Sequence, residues 1–335
     1  MVVSIIGIQE KRVVKMFEIL IVIGTIIKMM KSIAIFFFIV AIFVGYPTVK
    51  GDVSFHLGTA TGKSYTSFIG QLRNALPTTG KVCNIPVLPS TASGLQWFTF
   101  FSLTNYNDET ITVAVNVTNV YIVAYRAGAV SYFFEDTSAE AWNLLFTDTR
   151  KVKLPYSGNY DRLQNVVGKQ RDLIELGFPA LSSAITNMFY YDYKPTAAAL
   201  LVLIQSTAEA ARFKYIEQQI SQYINHNFLP DLAIISLENN WGALSKQIQI
   251  ANSSGNGQFE SPIDLITPNG TRVSVTNTSA GVVKSNIKLL LFYNLLANVV
   301  ADDTDMITSM LHPGAIMSPT NSGYKKESKL VQLSI

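Results

Sequence analysis

Glu209 and Arg212 place a carboxylate and a guanidinium three residues apart in a stretch otherwise apolar enough to run through a core. Upstream, Pro195 and Thr196 are helix-start residues, and 197–204 is an unbroken apolar run containing good helix formers. Helical spacing then aligns Gln205, Glu209, Arg212 and Ile216 on one face. On a solvated helix such a pair is ordinary and contributes only ~0.2–0.5 kcal/mol. On a buried helix a polar window is costly unless it faces a cleft or a partner. A carboxylate can stabilise positive charge on one side of a breaking bond, and a guanidinium can stabilise negative charge on the other. Neither residue is read as a core packer. Glu238, three residues before Trp241, offers a second carboxylate. A glycoside hydrolase using Glu209 and Glu238 would need them to face each other across roughly 5–10 Å. His56 and His226 are the only histidines between residues 52 and 297, which disfavours a histidine-centred triad or a histidine-rich metal site. There is no phosphate-binding glycine loop, and neither a cofactor nor a metal is implied.

The elements that must position these residues follow from hydrophobic periodicity. Strand-like alternation marks 53–57, 97–103, 110–117, 121–125 and, weakly, 131–134. Helical patterns follow at 64–75, 137–146, 160–174, 177–191, 196–225 and 234–249. Two further strand-like stretches, 258–266 and 271–277, flank the turn signal Pro268-Asn269-Gly270. The fold class expected is α+β: a mixed β-sheet packed on helices, with a long buried central helix and a small C-terminal helix/hairpin lobe. The lobes are expected at 52–230 and 231–297, with the cleft between them.

Four word-like stretches narrow this reading. They are Glu209-Ala210-Ala211-Arg212-Phe213 with Tyr215-Ile216-Glu217-Gln218-Gln219-Ile220, and Asp231-Leu232-Ala233-Ile234-Ile235-Ser236-Leu237-Glu238-Asn239-Asn240-Trp241. The others are Val120-Tyr121-Ile122-Val123-Ala124-Tyr125-Arg126-Ala127-Gly128 and Leu154-Pro155-Tyr156-Ser157-Gly158-Asn159-Tyr160. In this order and spacing the chain resembles the plant ribosome-inactivating proteins, the single-chain (type 1) rRNA N-glycosylases of the trichosanthin kind, from about Asp52 to Ala297. The resemblance implies removal of one adenine from a loop of large-subunit rRNA, inhibition of translation, and a role in plant defence. It implies that Tyr121 and Tyr160 sandwich the adenine, that Glu209 stabilises the ribosyl cation, and that Arg212 stabilises the departing purine. Trp241 then forms the pocket floor, while Ile122, Gly158 and Ile204 line the base pocket. The partner implied is the ribosome, through its large-subunit rRNA loop and a ribosomal protein. No cysteine matches the bridge to a lectin chain, so a single-chain monomer is expected. A non-catalytic storage or binding member of the family is the other reading.

The ends of the chain read differently from its body. Twelve consecutive apolar residues, 33–44, follow Met30-Lys31 and precede Val49 and Gly51. This pattern predicts a secretory signal at 30–51 cleaved after Gly51, with 1–29 an upstream extension. Such a run is too short to span a bilayer, so no stable membrane insertion of the mature protein is expected. Residues 298–335 are acidic at first and then rich in Ser, Pro and Lys, and are read as a disordered or removable extension. Secretion or vacuolar delivery fits four Asn-x-Ser/Thr sequons, at Asn116, Asn252, Asn269 and Asn277. The single cysteine, Cys83, rules out an intramolecular disulfide. Between residues 52 and 297 seventeen Lys/Arg balance seventeen Asp/Glu, so RNA binding must rest on local patches. The candidates are Arg150, Lys151 and Lys153, then Arg126, Arg162, Lys169 and Arg171.

Overall fold

The computed structural model describes residues 53–89 and 98–278, together with Thr25 and Lys28. The expected signal, its cleavage position and the tail from 298 lie outside the described residues. Strands β1 (Val53–His56), β2 (Gly80–Val82), β3 (Ile85–Val87), β4 (Phe98–Thr104), β5 (Thr110–Asn116), β6 (Tyr121–Ala127), β7 (Val130–Phe133) and β8 (Arg150–Lys153) occupy the first half. Six of them form one mixed sheet in the order β1-β4-β5-β6-β7-β8, while β2 and β3 make a separate hairpin. The edge pairs β1–β4 and β7–β8 are parallel, and the inner pairs are antiparallel.

Alternation along the strands decides what each face buries. Phe101, Leu103, Ile111, Val113 and Val115 point into the main core beneath the helices. Phe98, Ala114 and Phe133 point the other way, where Ala141 and Leu145 cover them from α2 (Ala139–Leu144) and just beyond it. A bulge interrupts β6: Ala114 pairs with Ala124 but Val115 pairs with Ile122, so Val123 is the extra residue. Val123 and Ala124 therefore share the second face, and Ile122 turns into the main core.

The helical layer comprises α1 (Gly62–Ala75), α3 (Tyr160–Val167), α4 (Phe178–Phe189), α5 (Tyr193–Ile204), α6 (Lys214–Ser221) and α7 (Leu232–Ser254). Most start where the sequence supplies an acceptor or a proline: Thr61 and Ser64 form a capping box for α1, Pro179 opens α4, and Asp231 caps α7, whereas α6 starts uncapped after the break at Phe213. The hairpin β9 (Gln258–Ile266) and β10 (Arg272–Asn277) packs on α7. The helix expected at 160–174 is shorter than its pattern, because Gly168 takes a left-handed conformation (φ 75°) and ends α3 at Val167.

The largest departure is the central helix, expected to run unbroken over 196–225. After α5 the chain widens into a π turn at Gln205–Glu209 and makes one further helical turn, Ala210–Arg212. It then breaks at Phe213 (φ −126°, ψ 121°) before α6 begins. A widened turn followed by a break leaves carbonyls without helical partners. Side chains from α1 cap them. The Tyr65 hydroxyl donates to Ser206 O at 2.7 Å. Arg73 Nε donates to Ala211 O at 2.9 Å and Nη2 to Ala210 O at 2.8 Å. Arg73 also pairs with the buried Glu217, which Lys214 contacts at 2.9 Å.

Arg73 thus supports the broken helix through both its backbone and a buried carboxylate. Arg73→Ala is expected to lower the free energy of unfolding by about 2–3 kcal/mol, because the bonds to Ala210 O and Ala211 O are lost while Lys214 still neutralises Glu217. Denaturant unfolding checks this, and a loss under about 1 kcal/mol would mean that the break supports itself.

Candidate active site

The π turn and the break behind it set the orientation of Glu209 and Arg212. Both side chains are fully buried, and Arg212 Nη1 donates to Glu209 Oε1. Arg212 Nη2 donates to Asn119 O at 2.8 Å and to Val120 O at 3.4 Å, on the connection entering β6. That connection is strained: Val120 is β-branched yet has φ 57°. The Arg212 guanidinium lies 4.0 Å from the centre of the Trp241 ring, supplied by α7, and 5.6 Å from that of Tyr121. Glu209 Oε2 and Arg212 Nε make no hydrogen bond to the described protein atoms. Each charged group therefore keeps one polar atom uncommitted in a site closed to solvent.

A second buried pair stands beside the first. Arg171 Nη1 donates to Glu238 Oε2 at 2.7 Å, and Gln205 Nε2 reaches both Glu238 oxygens at 2.9 and 3.1 Å. The Arg171 guanidinium lies 3.8 Å from the centre of the Tyr160 ring. Burial raises the Tyr160 hydroxyl well above its ordinary range, and the carboxylates of Glu209 and Glu238 add to that. Burial likewise pushes Glu238 up to about 8; Arg171 opposes the shift and Glu209 reinforces it. Tyr160 opens α3 behind the cap Asn159, whose Oδ1 accepts from Arg162 N at 2.7 Å. Just before it, a Cβ on Gly158 would meet the Phe134 ring at 2.7 Å, so only glycine lets this segment lie against that ring.

Most residues singled out by the sequence converge. Glu209, Arg212, Tyr121 and Trp241 are in mutual reach through Arg212. Ile122, Ile204, Tyr160 and Trp241 belong to one contiguous core. Several expectations need correction. Glu209 and Arg212, not read as core packers, are both fully buried: each lies against the other, so deleting one strands a charge. Arg171 is no surface cation for RNA but the buried partner of Glu238. Both Glu238 oxygens are engaged by Arg171 and Gln205, which leaves no carboxylate free to face Glu209 across a sugar-sized gap. Asn116 is buried at the end of β5, where its Oδ1 accepts from Thr118 N at 2.9 Å, so this sequon has no room for a glycan. Asn252 and Asn269 are exposed, and Asn277 is half-buried. The roles of Asn119, Val120, Tyr65 and Arg73 had no sequence signal, since each acts through backbone contacts across the fold.

Residues 60–249 match the family model for "Ribosome inactivating protein". The chain belongs to the ribosome-inactivating protein family. It is 72% identical over 283 residues to the type I ribosome-inactivating protein trichoanguina of Trichosanthes anguina, covering 84% of this chain and 95% of that one. It is 56% identical to the ribosome-inactivating protein alpha-trichosanthin of Trichosanthes kirilowii, covering 84% of this chain and 97% of that one. Among solved structures it is similar to a type I ribosome-inactivating protein from Iris hollandica, with a TM-score of 0.65, 30% identity, and coverage of 74% of this chain and 99% of the other. The agglutinin from Abrus precatorius gives a TM-score of 0.68 at 32% identity, covering 75% of this chain and 98% of that chain. The α+β architecture read from the sequence is thus that of ribosome-inactivating proteins.

Glu238 binds its proton more tightly in the fold than in the unfolded chain. Its contribution to stability is therefore complete below the ordinary carboxylate value of 4.5 and is lost as pH rises through about 8. The unfolding free energy measured in urea is expected to fall across that window in the wild type, and to fall less in Glu238→Gln. Equal slopes would mean that another group carries the titration.

Proposed function

We propose that this protein is an rRNA N-glycosylase that removes one adenine from large-subunit rRNA and so blocks translation, as a single-chain plant defence toxin. The observation that carries the reading is the buried Glu209–Arg212 pair, set against Trp241 and Tyr121, with Glu209 Oε2 and Arg212 Nε uncommitted. The adenine leaves its stack and lies between the rings of Tyr121 and Tyr160, each such stack contributing roughly 1–3 kcal/mol. Main-chain groups of Ile122 and Gly158 read its edge, and the Ile204 side chain lines the pocket. The C1′–N9 bond breaks with its electron pair going to the purine, where Arg212 stabilises the growing negative charge. Glu209 stabilises the positive charge left on the ribose and orients the water whose hydroxyl adds to C1′. The proton released by that water ends on the adenine through solvent, because a guanidinium does not give up its own. Trp241 shapes and dries the floor under Arg212.

The same reading places the mature protein in the secretory pathway. Cleavage after Gly51 and loss of the segment from 298 would leave the N-glycosylase body, secreted or vacuolar and monomeric, with Asn252, Asn269 and Asn277 as sequons open to glycans. Its partner is the ribosome, with a large-subunit rRNA loop as target.

Glu209→Gln keeps the shape and an acceptor for Arg212 while removing the charge. Adenine released from intact ribosomes is expected to slow by about a hundred- to a thousandfold, with the fold retained but the melting temperature lowered, because the buried Arg212 loses its counter-charge. Near-wild-type release by a folded Glu209→Gln protein would remove Glu209 from the chemistry. No release by the wild type itself would leave the storage or binding reading.

A further inference from the structure

Register across the main sheet brings together residues that no single motif shows. Ser54 pairs with Ser102, Ser102 with Thr112, Thr112 with Arg126, Arg126 with Ser131, and Ser131 with Lys151. Six strands thus contribute one unbroken transverse row of hydroxyls and cations, on the face turned away from the main core. At about 4.8 Å between strands the row is roughly 24 Å long. Within it Ser102 bonds Thr112 at 3.2 Å, while the buried Ser131 bonds Thr149 just before β8.

The cations rest on aromatic rings at this face. Arg126 lies 5.6 Å from the centre of the Phe146 ring, Lys151 is 5.8 Å from that of Phe133, and Lys153 is 5.6 Å from that of Trp142. Lys153 follows Lys151 on the same face, opposite Phe133. In a body whose charges otherwise cancel, none of the described strand positions on this face carries a carboxylate. Asp108, in the turn after β4, is paired with His56 at 3.0 Å. Glu135, Asp136, Glu140 and Asp148 belong to α2 and the connections around it, and Asp136 is near enough to Lys153 to feel its charge.

Topology ties this face to the active site. β6 begins at Tyr121, and because β6 runs antiparallel to β7 while β8 runs parallel to it, β8 ends at the same end of the sheet. From Lys153 the chain continues directly to Gly158 and Tyr160. The cations therefore start beside the base-binding segment and lead away from it.

We propose that the part of this sheet face left uncovered beside α2 is a second RNA-contact surface, holding the phosphodiester backbone that flanks the target adenosine through Arg126, Lys151 and Lys153 and the accessible hydroxyls of Ser54, Ser102 and Thr112. It rests on the reading of the substrate as rRNA. Cations and hydroxyls are the groups that contact phosphate oxygens without reading sequence. A row held on rigid strands orients a backbone at little entropic cost.

The test is the double variant Arg126→Gln/Lys153→Gln, with Lys151 retained because its Nζ also donates to Trp142 O. Adenine release is measured on intact ribosomes, on protein-free rRNA, and on a short stem–loop too small to reach the sheet. The expected result is a KM raised about tenfold on the two large substrates with kcat unchanged, and a salt dependence flattened by about 1.5 in log–log slope for two lost phosphate contacts. The stem–loop should show no change, and the charge-preserving Arg126→Lys/Lys153→Arg protein should behave as wild type. Unchanged KM and salt slope in the folded double variant would overturn the proposal. So would a loss confined to intact ribosomes, which would assign the face to an acidic ribosomal protein. Absence of release by the wild type on every substrate would instead overturn the N-glycosylase reading.

Discussion

The rest of this structure depends on one buried ion pair. Taking a carboxylate and a guanidinium out of water costs several kcal/mol per ion, and their mutual attraction offsets this only with good geometry and further hydrogen bonds. Arg212 obtains those bonds from the carbonyls of Asn119 and Val120 and has the Trp241 ring against it. Presenting those carbonyls requires Val120 to adopt a conformation that β-branched residues avoid. Presenting Glu209 and Arg212 requires a helix that widens and then breaks, and the carbonyls this leaves bare must be capped by Tyr65 and Arg73 from α1. Strain, break and cap are thus consequences of one electrostatic demand. Such departures from regular structure cluster where function needs them.

The sequence carries this architecture unevenly. Strands β1, β4, β5, β6 and β7 and the C-terminal hairpin were legible within a few residues, because alternation over a half-buried sheet is a strong local signal. β8 was not, since Arg150-Lys151-Val152-Lys153 reads as a charge cluster; it becomes a strand by pairing with β7 at the sheet edge, where its lysines rest on aromatic rings. β2 and β3 are too short to show a period. The central helix misled for a physical reason: the stretch from Gln205 has ordinary helical composition, and only contacts from α1 and the β6 entry select the widened turn. Glu209, Arg212, Tyr121, Tyr160 and Trp241 stood out through the family's words. Arg171 was misread as a surface charge because its partner, Glu238, lies on a different helix.

The second pair explains why two carboxylates so close to one another need not do the same work. Glu238 is engaged on both oxygens, whereas Glu209 keeps one oxygen without a partner. Burial and the proximity of Glu209 favour the protonated form of Glu238, so Glu238 is held by its partners rather than offered to a substrate. Arg171 meanwhile braces Tyr160 from one ring face. A planar base reaches this chemistry only if a ring is displaced, because Tyr121 and Tyr160 are 0% and 5% exposed. Closure of that kind keeps water low in the site and strengthens every charge interaction inside it.

A buried site in a body of zero net charge poses a recognition problem. A polyanion of ribosomal size is not drawn in by a global field here, so orientation has to come from contacts made after encounter. A sheet with one face committed to the core and the other carrying hydroxyls and cations beside the patch that α2 covers supplies such contacts at fixed spacing. Its rigidity follows from the same pairing that places Tyr121 at the start of β6. In this arrangement the strands do two tasks with alternate residues: inward positions build the core on which Glu209 and Arg212 are held, and the outward positions beside the apolar patch under α2 carry hydroxyls and charge. Moving a strand by one residue would exchange the two sets, so the register that packs the core also fixes the cationic face.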